Sequence, residues 1–200
     1  MKCSRRLFLA LSSLGIIKSV RAKELCYFTP SQPLGPFFKK ENLEQSSDMT
    51  KKGLAKGQIL NVYGQIRDKN CSPYPYCSLV IWQANTFGKY NHHNDFSNNA
   101  SDPNFNGYIK IVTTKNGFYS FTTVIPGAYK ISNTIKRPPH IHVLVKTKDR
   151  KRVTTQLYFK NHPLNEGDFL YNSHKENSRL QLNLKHTSDG LSKAKFDFII

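Results

Sequence analysis

The sequence predicts an all-β protein, a β-sandwich of mostly antiparallel strands with long loops carrying the functional residues. Three observations lead there. From Ile59 onward, apolar and polar residues alternate with period two in a series of short runs, the pattern of a half-buried strand. Turn-forming clusters separate the runs: DKN at 68–70, KNG at 115–117, IPG at 125–127, KDRK at 148–151 and SDG at 188–190. Few stretches carry the 3.6-residue apolar spacing of an amphipathic helix.

In chain order the predicted strands are ILNVYGQIR (59–67), SLVIWQA (78–84), GYIKIVTT (107–114), FYSFTTV (118–124), HIHVLVK (140–146), TTQLYF (154–159), RLQLNLK (179–185) and KFDFII (195–200). β-branched and aromatic residues dominate the first six, as suits a pleated surface. In the last two, Leu180, Leu182 and Leu184, then Phe196 and Phe198, alternate with polar residues. The basic run Lys146–Arg152 follows HIHVLVK and is expected to form its hairpin turn. Residues 91–107, NHHNDFSNNASDPNFNG, are too polar for a strand and are expected to form a long loop.

Upstream of the strands lie two further segments. Residues 1–22 read as a twin-arginine-type signal: SRRLFL, an apolar run too short to span a bilayer, and VRA ending at Ala22. Export to the periplasm or beyond, with no stable membrane insertion after cleavage, is the expectation. Residues 23–56 are polar and proline-punctuated and read as an arm, leaving 57–200 as a single sandwich domain. The leader holds five cations and no acid, so its removal lowers the formal charge from +17 to +12. The remaining basic residues are not interleaved with stacking aromatics, so no nucleic-acid partner is expected. Attraction to anionic substrates is the alternative use of such charge. Of the four cysteines, Cys3 leaves with the leader. In an exported chain Cys71 and Cys77, which bracket CSPYPYC, are expected to pair; pairings of Cys26 with either are the alternatives.

The densest chemical signal is RPPHIH, Arg137–His142. Alternation puts His140, His142 and Leu144 on one face of a strand and Ile141, Val143 and Val145 on the core face. Two adjacent imidazoles can share one metal ion. Tyr129 in PGAYK and Tyr90 at the end of IWQANTFGKY offer hard phenolate ligands. A phenol with an ordinary pKa near ~10 is ionised by a strong Lewis acid. Two phenolates with two imidazoles therefore suit Fe(III) better than zinc. His92 and His93 are read as surface imidazoles, because that ligand set is already complete.

These stretches resemble the intradiol ring-cleavage dioxygenases, and among them the protocatechuate 3,4-dioxygenase subunits. The resemblance rests on TPSQPLGPFF (29–38), IWQANTFGKYNHHND (81–95), DPNFNGY (102–108), GFYSFTTVIPGAY (117–129), RPPHIH (137–142) and TTQLYF (154–159), in the family's order. It implies a mononuclear non-haem Fe(III) held by Tyr90, Tyr129, His140 and His142. It implies catalytic roles for Arg137, Gln156 and Tyr129, the last as the ligand that leaves to take a substrate proton. Trp82 would wall the substrate pocket, and Gly35, Pro36 and Phe37 of the arm would line it. The implied reaction joins a catecholic substrate to O2 and opens the ring to a cis,cis-muconate-type product. The implied assembly is a homo-oligomer, or a monomer closing its own pocket. Ile131 stands where the family often has Trp, and the stretch from Tyr129 to Arg137 is shorter than in protocatechuate dioxygenases; both departures bear on the substrate. The competing expectation is an exported sandwich that captures catecholates or ferric complexes without turnover.

Overall fold

A computed structural model of the chain describes residues 26–40, 43 and 45–200. The expected signal at 1–22 lies outside the described residues. Among those described, no helix is long and apolar enough to cross a membrane.

Two five-stranded sheets form the body. In the first, the long strand β1 (Ile59–Arg67) pairs antiparallel with β4 (Phe118–Val124) on one side. On its other side it pairs with two short C-terminal strands, β11 (Ser192–Lys195) and β12 (Phe198–Ile199), both parallel. β10 (Lys185–His186) adds an edge to β11. The second sheet runs β3 (Tyr108–Val112), β2 (Ser78–Trp82), β7 (His140–Lys146), β8 (Arg152–Phe159), β9 (Gln181–Leu182). A separate hairpin joins β5 (Tyr129–Lys130) to β6 (Lys136–Arg137). Most pairings are antiparallel, and the parallel ones involve the short strands β9, β11 and β12.

Alternation along the strands creates two apolar layers. Leu79, Ile81, Ile109, Ile111, Ile141, Val143, Val145, Leu157 and Phe159 pack inward against Leu60, Val62, Ile66, Phe121, Ala194 and Phe198 of the first sheet. Each such burial contributes about 1.5–3 kcal/mol. The opposite face of the second sheet presents Val80, Trp82 and Leu144, and it is buried too. Loops carrying Tyr90 and Tyr129, with Phe37 from the arm, cover it. A sandwich face that would otherwise meet solvent thus becomes a second, smaller core.

The basic run after β7 makes the expected turn, with Arg150 at φ +67° and Thr147 N–H bonded to the Lys151 carbonyl. RLQLNLK departs from its expected strand. Asn177–Leu180 forms a 3-10 turn, Gln181–Leu182 pairs in the second sheet, and Lys185 pairs separately in β10 of the first. Leu180 and Leu182 are buried nonetheless, so the alternation recorded which side chains face inward without requiring a ladder.

The expected Cys71–Cys77 disulfide is not formed. Cys26 bonds Cys71, closing a 45-residue loop. Cys77 is free and fully buried in the inner core. The reason is local: Cys77 immediately precedes β2 and turns inward, while Cys71 sits at φ +63° in the surface turn. Proximity in sequence therefore did not bring the two sulfurs together. The bond ties the start of the described arm to the loop after β1. Beyond it the arm is fastened by Thr29 N–H to the Ile199 carbonyl (3.0 Å), Gln32 N–H to the Thr154 carbonyl (2.7 Å) and Thr155 Oγ1–H to the Pro30 carbonyl (2.8 Å).

Candidate metal centre

His140 and His142 point outward from β7 onto the covered face. Cross-strand register places Trp82 opposite His142 on one side and Gln156 opposite it on the other. Tyr158 lies opposite His140. Trp82 stacks on the His142 ring, centroids 4.8 Å apart and 9° from parallel. One row of the sheet therefore carries Trp82, His142 and Gln156, all essentially inaccessible.

The two tyrosines arrive on neighbouring loops. Gly127 N–H donates to the Asn85 carbonyl at 2.9 Å. A Cβ on Gly127 would lie 2.5 Å from the Gly88 nitrogen and from the Thr86 carbonyl oxygen. Only a glycine lets the PGAY segment approach the QANTFGKY segment this closely. The β5–β6 hairpin then pairs Tyr129 directly with Arg137. The short stretch between them is its tip, where Ile131 and Ile135 are exposed.

As a result Tyr90, Tyr129, His140 and His142 converge. Tyr90 Oη lies 3.4 Å from His140 Nε2. The two phenol rings meet edge to face at 5.3 Å, and the two imidazoles are 4.9 Å apart. None of the four is more than 6% exposed. Burial pushes both phenols above their ordinary range; at Tyr90 the neighbouring Tyr129 adds to this, and at Tyr129 the Arg137 cation opposes it. Burial, with Arg137 nearby, holds both imidazoles well below theirs. The chain alone thus keeps two neutral phenols and two neutral imidazoles.

A ferric ion fits this set. His140 Nδ1 lies 2.7 Å from the Pro138 carbonyl, which can only accept, so Nδ1 carries the proton and Nε2 presents a lone pair to the cluster. His142 Nδ1, Gln156 Nε2 and Trp82 Nε1 are buried without a hydrogen-bond partner. Leaving such atoms unpaired costs about 1–3 kcal/mol each, the mark of a site shaped around a further group. Ionising two buried phenols needs a strong Lewis acid beside them, as the donor types themselves suggest. Among the described residues no three His, Cys, Asp or Glu gather into another such set.

The arm closes the cluster from the same chain. Phe37 stacks on Tyr90 at 4.2 Å and meets Tyr129 edge-on at 5.9 Å. Gly35 adopts φ +75°, and a Cβ there would stand 3.3 Å from His142 Cε1. Pro36, by contrast, is exposed. His92 and His93 stack on each other at 4.3 Å outside the cluster.

Arg137 is buried and its Nη1 lies 3.3 Å from His140 Nε2. Its Nε donates to Asp168 Oδ2 at 2.8 Å and its Nη2 to Tyr158 Oη at 3.0 Å. Sequence reasoning missed Asp168, Tyr158 and Gln32. Tyr158 was within reach of it, standing two positions after Gln156 on one strand and hence on the same face. Asp168 and Gln32 carried no signal, because one comes from a loop far along the chain and the other from the arm.

A family model described as Dioxygenase matches residues 34–200. The protocatechuate 3,4-dioxygenase beta chain of Burkholderia cepacia is 33% identical over 165 residues, covering 76% of this chain and 70% of that protein. A catechol 1,2-dioxygenase of Acinetobacter baylyi is 31% identical over 128 residues, 58% of this chain but only 40% of that longer protein. Among solved structures, the dioxygenase domain of a dioxygenase carbohydrate-binding protein fusion from Streptomyces sp. SirexAA-E superimposes with a TM-score of 0.71 at 28% identity, covering 87% of this chain and 98% of that one. With a family match over most of its length, and with relatives that share its sandwich, the chain belongs to the intradiol ring-cleavage dioxygenases.

Proposed function

We propose that the protein is a non-haem Fe(III) intradiol dioxygenase that opens a catecholic ring with O2 to a cis,cis-muconate-type product. The observation that carries this reading is the buried convergence of Tyr90, Tyr129, His140 and His142 beside Arg137 Nη1. The four side chains would hold the ion. When bound, ferric iron supplies the Lewis acidity that ionises phenol and catechol hydroxyls and a template on which the substrate is oriented.

The chain's own residues do the rest. The Pro138 carbonyl keeps His140 in the tautomer that offers Nε2. Tyr129, one of the four side chains that would hold the ion, would accept one catechol proton at Oη. Its basicity suits that role, since burial favours the protonated phenol. Arg137 Nη1 stabilises negative charge developing on the substrate. Gln156 Nε2, a buried donor without a partner, orients the bound substrate or O2. Trp82 fixes the plane of His142 by stacking and walls the pocket. Gly35, Pro36 and Phe37 form the lid side of the pocket and exclude water. Because this arm belongs to the same chain, a monomer that closes its own pocket is the assembly the reading favours, with homo-oligomers built from such units. The relative in B. cepacia is named for protocatechuate, which supports a catechol carboxylate as the first substrate to try.

Oxygen uptake by the iron-loaded protein across catechol, protocatechuate and hydroxyquinol tests the reading. The expected outcome is a red-brown protein that consumes one O2 per ring and places both oxygen atoms in the ring-opened acid, with Tyr90→Phe bleached or metal-free. A colourless zinc protein that consumes no O2 would refute it.

Export by the twin-arginine route, with cleavage near Ala22, is part of the same proposal. The Cys26–Cys71 disulfide supports an oxidising destination. Replacing Arg5 and Arg6 by Lys is expected to hold the precursor in the cytoplasm; export that continues unless the Sec channel is blocked would reject the route.

A further inference from the structure

Arg137 is held by more contacts than its position before the histidines requires. The Asp168 carboxylate accepts from Nε at 2.8 Å and from Nη2 at 3.2 Å, a two-point fork. The Tyr158 hydroxyl accepts from Nη2 at 3.0 Å. Those three bonds use the Nε–H and both Nη2 hydrogens. Nη1 is the nitrogen left facing the ligand cluster.

Tyr158 is itself oriented. Its single proton has three acceptors in range, Gln32 Oε1 at 3.1 Å, and Gln156 Oε1 and Asp168 Oδ1 at 3.4 Å each. Gln32 Oε1 is the nearest. Gln32 Nε2 donates to the Leu170 carbonyl at 2.8 Å, so the amide is turned with its oxygen toward Tyr158. The hydrogen bonds run in one direction, from Arg137 to Tyr158 to Gln32 to the loop that carries Asp168.

We propose that Asp168 and Tyr158 are positioning residues that fix the Arg137 guanidinium with Nη1 alone offered to the reacting site, and that Gln32 of the arm fixes Tyr158 in turn. This rests on the intradiol reading for its catalytic consequence. Without metal, Nη1 stands beside the His140 Nε2 lone pair. Once that lone pair is committed to a metal, Nη1 is a donor for an anionic oxygen at the site, that of the substrate or that of Tyr129, whose hydroxyl is within the guanidinium's reach. A guanidinium free to rotate would divide that donor among several directions; one clamped on its far side cannot.

The test is Tyr158→Phe, which keeps the ring packed against Tyr171 and removes one hydroxyl. In the iron-loaded protein, kcat/KM per iron is expected to fall about tenfold, the size of one charge-assisted hydrogen bond, with iron content unchanged. In an Arg137→Ala background the same substitution is expected to cost nothing further. An unchanged kcat/KM, or a loss that persists in full without Arg137, would overturn the proposal. Exchange of the Arg137 Nε–H proton, followed by NMR in the metal-free chain, reads the positioning without turnover. It is expected to be slow in the wild type and faster in both Tyr158→Phe and Asp168→Asn. If the wild type cleaves no catechol, the reaction is wrong while this exchange still decides the clamp; equal exchange in all three proteins rejects it.

Discussion

Arg137 joins two demands that pull apart in a mutant. Its ion pair with Asp168 is buried on both sides. Truncating one partner of such a pair strands the other charge and costs about 3–5 kcal/mol. Its Nη1 also faces the proposed ligand cluster, where loss of an electrostatic stabiliser is expected to lower turnover on the order of 10²-fold. Arg137→Ala is therefore expected to show both a lower melting temperature and a lower turnover per bound iron. A mutant with normal turnover per iron would leave Arg137 as a brace alone. The histidines make a second residue-scale prediction. Burial holds both folded-state pKa values well below the ordinary imidazole range. An unfolded imidazole takes up a proton near pH ~6.5, while the folded ones stay neutral. The unfolded state then binds more protons, so stability is full above that pH and declines as pH falls below it. Thermal melts of the metal-free protein between pH 8 and 5 are expected to follow that sign, with a shallower decline in His142→Gln.

The arm is the element that turns a sheet face into a pocket. Gly35 occupies a left-handed conformation under the His142 ring. Gly35→Ala adds about 1–2 kcal/mol of backbone strain and crowds Cε1. It is expected to lower the melting temperature and speed loss of iron to a chelator; unchanged iron retention would separate the arm from the site. The disulfide acts on the same element. Closing a 45-residue loop removes chain entropy worth about 4 kcal/mol in the unfolded state. Cys26→Ser is therefore expected to destabilise by up to that amount, while Cys77→Ser perturbs the inner core instead. Burial pushes the Cys77 thiol up to about 11, so alkylating reagents at neutral pH are expected to reach it only after unfolding.

At the scale of the whole molecule, the sandwich separates folding from chemistry. One face of the β3-β2-β7-β8-β9 sheet builds the inner core and the other builds the candidate centre. β7 serves both, since Ile141, Val143 and Val145 anchor it while His140 and His142 reach out. The centre inherits the rigidity of a paired strand, and the loops bring the phenols to it.

Much of this was legible in the sequence, because alternation is a local consequence of strand geometry. It determined most of the strands, the inward face of β7, the outward pair of histidines and the residue types able to hold a ferric ion, while RLQLNLK and KFDFII folded as shorter, broken pieces. For the cysteines the sequence favoured Cys71–Cys77, and the pair that forms, Cys26–Cys71, stood only among the alternatives. What only the tertiary structure decided was contact between segments far apart in the chain. Cys26 met Cys71 because the arm runs back across the body, while Cys77 turned into the core. Asp168 and Gln32 reached Arg137 and Tyr158 through packing that no local pattern records. The physical reason is that periodicity reports which side of an element a residue faces, whereas partners are chosen by how whole elements pack.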